Sequence, residues 1–398
     1  MLFAVAVVSP KAAWCGANPN TKTWVSAWLA SPADGGSDAK HLRNQTLREI
    51  VHTTIGGTEL RIRISNKFGQ EALLIGAVHV AMRGEAALIV PATDRAVTFS
   101  GQTAMSVPVG AFVLSDPVPL RVSAHEDLAV SIYFPEDTPE RTIHPTALQE
   151  SYLSGPGNIV GANTILDAAI MKSWSFLVGV DVAAEKDTSL IAAFGDSITD
   201  GTQSTPNTNR RWPDILSQRL SARAKNKVGV VNAGIAGSRL LFDSGGAGPS
   251  GLERFDRDVL SQPGVRYVIV LEGINDIGAP GPYMPLSETV TAADLIAGYR
   301  QLIERAHEKG IKIYGCTLTP FEGSAPYYSL ANEQKREAVN RWIRTGNAFD
   351  GVIDFDEAVR DPKNVNQLLA PYASRDHLHP SDAGYKAMAD SIDLSSFK

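Results

Sequence analysis

Four short segments of this sequence carry the residue types that acyl transfer requires. Such a reaction needs a nucleophile, a base, a group that orients the base, and hydrogen-bond donors for the oxyanion. In chain order the segments are Phe194-Gly195-Asp196-Ser197-Ile198, Asn232-Ala233-Gly234-Ile235-Ala236-Gly237, Glu272-Gly273-Ile274-Asn275-Asp276 and Asp376-His377-Leu378-His379-Pro380. Because they lie far apart in the chain, only the fold could bring them together.

Ser197 is the candidate nucleophile, because a serine hydroxyl becomes reactive once a neighbouring base takes its proton. His379 can be that base. Asp376 lies three residues earlier and can point the same way across one turn, where it would hold the imidazole tautomer. His377 adjoins Asp376, so we expect it to point elsewhere and rank it below His379 as the base.

The oxyanion hole is expected to combine three donors: the backbone N–H of Ser197, the backbone N–H of Gly234 and the side-chain amide of Asn275. Glycine suits the second role because it lets the backbone approach a substrate closely. Each of these residues also has a plain structural interpretation. Ser197 could be a helix N-cap, Gly234 a turn residue, and Asn275 with Asp276 another cap or turn.

A metal site is the alternative for the last segment, because His-x-His pairs occur in metal sites. The sequence shows no strong further ligand cluster to complete a set with Asp376, His377 and His379. We therefore expect no metal and no cofactor. The acidic residues Asp196 and Asp200 are expected to brace their loop by hydrogen bonds, and Asp276 to do the same in its own loop.

The elements that must position these segments alternate between strand and helix after residue 188. Apolar runs predict strands at 190–194, 228–232, 267–271, 311–316 and 352–355, and helical periodicity predicts helices at 212–224, 292–309 and 332–345. Solidly apolar strands that alternate with helices indicate a parallel sheet covered on both faces. Functional groups gather at the carboxyl ends of such strands, and the four segments lie at those ends or in neighbouring loops.

The chain before residue 186 has a different pattern. Short strands are predicted at 60–65, 77–81, 96–99 and 128–134, with turn signals between them and no long helical period. This pattern favours an all-β antiparallel sandwich of the jelly-roll-like type. The expected domains are a tail or signal remnant at 1–20, a β-domain at 21–186 and a catalytic domain at 187–398. His144 and residues 149–152 lie in a predicted loop, which either is a surface loop or borders the active site.

The four segments, in this order, resemble the GDSL (SGNH) hydrolase family. The matching blocks are Gly195-Asp196-Ser197, Gly234, Gly273-Ile274-Asn275-Asp276 and Asp376-His377-Leu378-His379. The resemblance covers about residues 188–398 and implies a three-layer, doubly wound, flavodoxin-like α/β domain. It also implies that the serine is the nucleophile, that the glycine and asparagine complete the oxyanion hole, and that the aspartate and histidine complete the triad. The Gly-x-Ser-x-Gly elbow of α/β-hydrolases is absent, which excludes that fold.

The N-terminal half resembles the β-domain that precedes the catalytic domain in some secreted bacterial members of this family. The similarity is carried by Trp24-Val25-Ser26-Ala27-Trp28 and by residues 60–68. This resemblance is less specific than the four blocks. It favours a secreted or periplasmic protein, and the short apolar run over residues 1–8 is compatible with a signal remnant.

Composition excludes some classes of partner. The formal net charge of −6 argues against a nucleic-acid binder, since phosphate recognition needs a basic surface. No segment is long and apolar enough for a membrane span. The chain has two cysteines, Cys15 and Cys316, which do not form a disulfide framework, and Cys316 is expected to be a buried free thiol. The oligomeric state is left open.

These observations predict a serine carboxylic ester hydrolase that forms an acyl-enzyme intermediate through a Ser-His-Asp triad. The expected substrates are small-molecule esters, either short-chain (acetyl-like) or aryl esters, because no long apolar lid is predicted. Three alternatives stay open: a carbohydrate O-acetylesterase that acts on an acylated sugar, an acyltransferase that passes the acyl group to an acceptor sugar, and a carbohydrate-binding protein with an inert C-terminal half.

Overall fold

The computed structural model describes residues 23–223 and 227–397. The expected N-terminal tail at 1–20, including Cys15, lies outside these ranges. Within them, no helix combines the length and the apolarity that crossing a bilayer needs. Cys316 is a buried free thiol, as expected.

The N-terminal half folds into short, mostly antiparallel strands. In chain order they are β1 (Thr23–Leu29), β2 (Ala33–Asp34), β3 (His41–Leu42), β4 (Gln45–His52), β5 (Leu60–Ser65), β6 (Leu73–Ile75), β7 (Ala77–Met82), β8 (Arg95–Val97), β9 (Met105–Val107), β10 (Phe112–Leu114), β11 (Asp127–Phe134), β12 (Thr138–Pro139), β13 (Thr142–His144), β14 (Ser151–Pro156), β15 (Ala169–Met171), β16 (Trp174–Ser175) and β17 (Leu177–Ala184). The strand predicted at 60–65 begins and ends at the same residues as β5.

Two antiparallel sheets make up most of this half. One has the strand order β1-β17-β5-β10 and the other the order β15-β14-β4-β11-β7-β8. Apolar side chains of both sheets share one core, among them Ile62 of β5, Leu47 of β4 and Val130 of β11. Alternate residues of β5 point to the same face of the sheet, and for this reason Leu60, Ile62 and Ile64 all lie in this core. The predicted antiparallel β-sandwich is confirmed.

The C-terminal half alternates strands and helices. Its strands are β18 (Ser189–Gly195), β19 (Val228–Gly234), β20 (Val265–Leu271), β21 (Lys312–Cys316), β22 (Gly351–Ile353), β23 (Arg360–Asp361) and β24 (Asn364–Leu368). Its α-helices are α1 (Ser197–Asp200), α2 (Trp212–Ser221), α3 (Gly251–Phe255), α4 (Ile274–Gly278), α5 (Ala292–Glu308), α6 (Leu330–Thr345), α7 (Phe355–Val359) and α8 (Asp382–Ser391).

The central sheet of this half is parallel, with the order β19-β18-β20-β21-β22. This is the flavodoxin-like order, in which the first strand lies between the second and the third. The helices α2, α7 and α8 pack together, and α3, α5 and α6 form a second group. The predicted doubly wound α/β domain is confirmed. The order also creates a crevice at the carboxyl ends of β18, β19 and β20, where ligands bind in such sheets.

The structure adds short helices that apolar periodicity did not predict. The first, α1, begins at Ser197, and α4 begins at Ile274, directly after β18 and β20 respectively. The strand predicted at 352–355 is shorter, because Asp354 accepts a hydrogen bond from the Glu357 N–H and so caps α7.

The two halves share buried surface. Val25 and Leu29 of β1 belong to the core of the C-terminal half, while Ala27 and Trp28 of the same strand belong to the core of the sandwich. The strand β17 ends at Ala184 and β18 begins at Ser189. Because residues 186 and 187 lie between these two strands, we propose that the boundary between the two domains falls there.

Candidate active site

Ser197 lies at the turn between β18 and α1. Asp196 is the N-cap of this helix and accepts a hydrogen bond of 2.9 Å from the Ile198 N–H through Oδ1. Ser197 is therefore the first helical residue. It is 5% exposed and lines a cleft of about 510 Å³ at the carboxyl edge of the sheet. The helix-cap interpretation thus applies to Asp196, and it leaves the Ser197 hydroxyl free for other contacts.

The hydroxyl of Ser197 and two side chains of the last loop form a chain of hydrogen bonds. His379 Nε2 lies 2.8 Å from Ser197 Oγ, and His379 Nδ1 lies 2.7 Å from Asp376 Oδ2. The other oxygen of Asp376 accepts hydrogen bonds from the Ser374 hydroxyl and from the backbone N–H groups of Leu378 and His379. Burial alone would raise the pKa of Asp376, but these hydrogen bonds together hold its pKa well below the ordinary value.

His377 takes no part in this chain of hydrogen bonds. Its backbone is in the left-handed region, with φ at 57°, and its ring lies beside Gly323. The expectation that it points away from Ser197 agrees with this position. Among the described residues, no group of three or more histidines, cysteines or acidic residues could hold a metal ion.

Asn275 lies at the cleft with its amide fixed by two partners. Its Nδ2 donates to the Ser238 carbonyl at 2.8 Å, and its Oδ1 accepts from the Tyr327 hydroxyl at 3.0 Å. An amide nitrogen carries two hydrogens, so the second is left for the cleft. The Ser197 N–H likewise has no acceptor within the described residues.

Gly234 does not reach the cleft. Its N–H donates to Asn232 Oδ1 at 2.9 Å, so it is not free for an oxyanion. A Cβ at this position would lie 2.4 Å from the Asp200 nitrogen, which shows that the glycine serves close packing of β19 against α1. The donor role predicted for Gly234 therefore does not fit its contacts.

Gly237 lines the cleft, which is the position that was expected for Gly234. The turn after β19, in which the Ser238 N–H donates to the Ile235 carbonyl at 3.0 Å, carries the chain forward to the cleft. Gly237 lines the cleft, and its N–H has no acceptor among the described residues. Its φ of 83° lies in the left-handed region that favours glycine. The segment contains both glycines, and apolar periodicity alone could not choose between them.

The acidic residues beside the site brace its loops, as expected. Asp276 accepts hydrogen bonds from the backbone N–H groups of Leu240 and Leu241, at 2.7 and 2.9 Å. Asp200 accepts from the Ala236 N–H at 2.9 Å. These contacts tie the loop after β19 to α1 on one side and to α4 on the other.

A buried arginine that sequence reasoning missed holds the strand ends below the site. Arg254 of α3 donates to the carbonyls of Gly195 at 2.8 Å and Ala233 at 2.7 Å. It also contacts Glu272 at 3.0 Å and Asp258 at 3.5 Å. Arg254 thereby connects the ends of β18 and β19, and Ser197 and Gly237 follow these ends in the chain. No local pattern pairs residues of such separation, so the sequence carried no signal for this cluster.

Asp196 is fully buried, and its Oδ2 has no hydrogen-bond partner among the described residues. Burial raises the pKa of Asp196 to about 7, against the opposing effect of the hydrogen bond from Ile198. The folded state therefore binds a proton that the unfolded chain releases at lower pH. The resulting stability is present below the unfolded pKa of about 4 and is lost as the pH rises to about 7.

We therefore expect Asp196→Asn to gain stability relative to the wild type as the pH rises from about 4 to about 7. The measurement is the urea unfolding midpoint of both proteins across this range. Asp393→Asn is the matched control, because Asp393 also caps a helical turn and hydrogen bonds to Ser395 hold its pKa below the ordinary value. A difference between Asp196→Asn and wild type that stays constant with pH would contradict this assignment.

The comparisons with known proteins concern this same half. Residues 193–387 match the model of the GDSL-like lipase/acylhydrolase family. Similar solved structures include a member of the lipolytic protein G-D-S-L family from Veillonella parvula, with 21% identity, a TM-score of 0.38, and coverage of 52% of this chain and 98% of that one. A GDSL-like lipase from Bacteroides thetaiotaomicron has 19% identity and a TM-score of 0.38, with coverage of 53% of this chain and 89% of that one. The aryl esterase of M. smegmatis has 18% identity and a TM-score of 0.39, with coverage of 51% of this chain and 95% of that one. No protein of curated function matches the chain.

The matched residues run from the end of β18 into α8 and include Ser197, Gly237, Asn275, Asp376 and His379. Residues 193–387 therefore form a GDSL-like lipase/acylhydrolase family domain in the C-terminal half of the chain.

Proposed function

We propose that this protein hydrolyses carboxylic esters through an acyl-enzyme intermediate formed on Ser197. Because it carries this acylhydrolase family domain, it is a serine ester hydrolase. The observation that carries the proposal is the continuous hydrogen-bond chain from Ser197 Oγ to His379 Nε2, at 2.8 Å, and from His379 Nδ1 to Asp376 Oδ2, at 2.7 Å. These distances lie within the reach that proton transfer needs.

In the first step Ser197 Oγ attacks the ester carbonyl while its proton passes to His379 Nε2. Asp376 stabilises the imidazolium that forms and keeps Nδ1 protonated. The same proton then passes to the alkoxide oxygen, so the alcohol leaves and the acyl group stays on Ser197. In the second step His379 Nε2 takes a proton from water while the water oxygen attacks the acyl carbonyl. The acid then leaves as His379 returns that proton to Ser197 Oγ.

The oxyanion would be stabilised by three donors that converge on the cleft. They are the N–H of Ser197, the N–H of Gly237 and the second hydrogen of Asn275 Nδ2. All three residues line the cleft, and none of these hydrogens has an acceptor within the described residues. Donors held in place before the reaction stabilise the developing charge without reorganisation, and each is worth about 10²–10³ in turnover.

Short acyl chains suit this cleft better than long ones. Its lining holds one large aliphatic side chain, Leu378, among small residues such as Ala236 and Ala325 and the two aromatic residues Tyr283 and Tyr327. A long acyl chain would find little apolar surface there, and each methylene that is not buried forfeits about 0.8 kcal/mol. The tyrosines offer ring faces to an aryl or sugar alcohol.

The test is a series of 4-nitrophenyl esters from acetate to dodecanoate, measured with the wild type and with a Ser197→Ala background control. We expect kcat/KM to be highest for acetate or butyrate and to fall with longer chains, because the lining offers them no apolar path. A maximum at dodecanoate would contradict the short-chain assignment, and no activity on any member would contradict ester hydrolysis itself. A secreted or periplasmic location stays a prediction from the sequence.

A further inference from the structure

A buried histidine of the N-terminal half contacts the helix that begins at Ser197. His144 ends β13 and is 4% exposed. Its Nδ1 lies 2.9 Å from the Ser31 carbonyl oxygen, and its Nε2 lies 3.0 Å from Asp200 Oδ1. Asp200 is the last residue of α1 and is 2% exposed. This ion pair is therefore shielded from water and spans the two halves of the chain.

The partners of the His144 ring determine its protonation. A carbonyl oxygen only accepts hydrogen bonds, so Nδ1 must carry a hydrogen. Asp200 accepts from the Ala236 N–H with its Oδ2, and its Oδ1 faces Nε2, so a hydrogen on Nε2 completes this contact when the ring is an imidazolium. Burial lowers the pKa of His144, but the charge and hydrogen bond of Asp200 outweigh burial, and the pKa is raised overall.

Among the described residues, Arg211 is the other cation whose charge acts on this ring. Arg211 sits with its guanidinium carbon 5.9 Å from the centre of the Trp174 ring, and that ring lies 5.5 Å from the centre of the His144 ring. Arg211 is already paired with Asp214 at 2.8 Å. The charge of Asp200 acts on Arg211 as well as on His144, so this carboxylate has two cations near it, and only His144 contacts it directly.

Asp200 connects the helix that carries Ser197 to the loop that carries Gly237. Asp200 lies one turn of α1 beyond Ser197, and its Oδ2 accepts from the N–H of Ala236. Ala236 precedes Gly237, which lines the cleft and whose N–H has no acceptor among the described residues. Because one side chain contacts both elements, its orientation sets the position of the Gly237 N–H relative to Ser197 Oγ.

We propose that His144 is a positioning residue for ester hydrolysis, which holds Asp200 in the orientation that fixes the Gly237 N–H in the oxyanion hole. This inference rests on the proposed function. It assigns the N-terminal half a part in the rate of the reaction, through one buried ion pair, in addition to its share in the core.

The sharpest test compares two amide variants of His144. In His144→Gln the amide nitrogen reaches the position of Nε2 and can still donate to Asp200, whereas in His144→Asn it reaches only the position of Nδ1 and the Ser31 carbonyl. Because a displaced donor acts on the transition state, we expect kcat on 4-nitrophenyl acetate to fall about 10- to 100-fold in His144→Asn, with KM nearly unchanged. His144→Gln is expected to recover most of that loss.

The pH profile is a second readout, and it needs only the wild type and His144→Gln. At alkaline pH the wild-type ring loses its Nε2 hydrogen, and its lone pair then faces the Asp200 carboxylate. We expect kcat of the wild type to fall there and kcat of His144→Gln to hold its plateau. Identical alkaline behaviour of both proteins would overturn the proposal, even if His144→Asn failed to fold.

His79→Gln is the matched control, because His79 of β7 also pairs with a carboxylate, Asp94 at 2.9 Å, but lies within the sandwich. It is expected to leave kcat unchanged. Equal kcat in wild type, His144→Asn and His144→Gln would overturn the proposal, as would a loss confined to KM or an equal loss in both variants. Ser197→Ala is measured alongside: activity in that variant would refute the proposed function itself, whereas an inactive Ser197→Ala with wild-type kcat in His144→Asn would refute this inference alone.

Discussion

Replacing Ser197 with alanine is expected to lower kcat on 4-nitrophenyl acetate by about 10⁶-fold, to the level that binding and the oxyanion donors alone support. The reason is that His379 then has no hydroxyl to activate, and no acyl-enzyme can form. The fold should be retained, because the serine side chain makes its hydrogen bond to His379 and caps no helix. Initial rates and the unfolding midpoint together measure both expectations.

The chemical form of the intermediate gives this prediction a second readout. A fluorophosphonate should label the wild type once per chain, and mass spectrometry should place the label on Ser197. Ser204→Ala is the control, because Ser204 is also buried after α1 but does not line the cleft. Undiminished turnover in Ser197→Ala, or a label on another residue, would show that Ser197 is not the nucleophile.

Replacing Arg254 with methionine is expected to cost about 3–5 kcal/mol of stability, as the removal of one partner from a buried ion pair does. Glu272, which is fully buried, would lose its cation, and the carbonyls of Gly195 and Ala233 would lose their donor. Burial already raises the pKa of Glu272 well above its ordinary value, and Arg254 opposes that rise. Urea unfolding followed by tryptophan fluorescence measures the loss.

Arg210→Met is the matched control for this variant. Arg210 pairs with Asp382 at 3.2 Å, but its side chain is 58% exposed, so the pair is screened by water and its loss should change stability by less than about 1 kcal/mol. Equal stability of Arg254→Met and the wild type would mean that the buried cluster does not hold β18 and β19 together.

Much of the C-terminal fold could be predicted because it follows from local patterns. The apolar run Leu190-Ile191-Ala192-Ala193-Phe194 has the length of a buried strand rather than of a helix, and β18 contains the whole run. The helix at Ala292–Glu308 begins at a capping box and ends before Gly310, both of which are local signals. Helix periods and strand runs depend on neighbours in the chain, so a sequence reveals them.

The candidate site was predictable only in its residue types. Ser197, Asn275, Asp376 and His379 stand at strand ends or beside the last helix, and parallel strands bring such ends to one edge. The choice of Gly234 rested on the end of the strand, and the structure does not support it. The turn over residues 235–238 moves the free N–H three residues onward, to Gly237.

Long-range pairs between charged groups could not be predicted at all. His144 and Asp200 belong to different halves of the chain, and Arg254 and Glu272 to different elements of one half. Nothing in the spacing of such residues distinguishes a buried partner from an exposed one. Their pairing depends on burial, which raises the free energy of an unpaired charge and so selects the partner that packing brings within reach.

By itself, the sequence determined the class of fold, a parallel sheet preceded by an antiparallel β-half. It also predicted the residue types of the proposed chemistry: a nucleophile, a base, its orienting acid and an amide donor. Local periodicity and residue chemistry are sufficient for that much. Only the tertiary structure decided which glycine lines the cleft, which arginine contacts the strand ends, and which histidine of the β-half reaches Asp200. Those contacts join residues that are distant in the chain, and only packing brings them together.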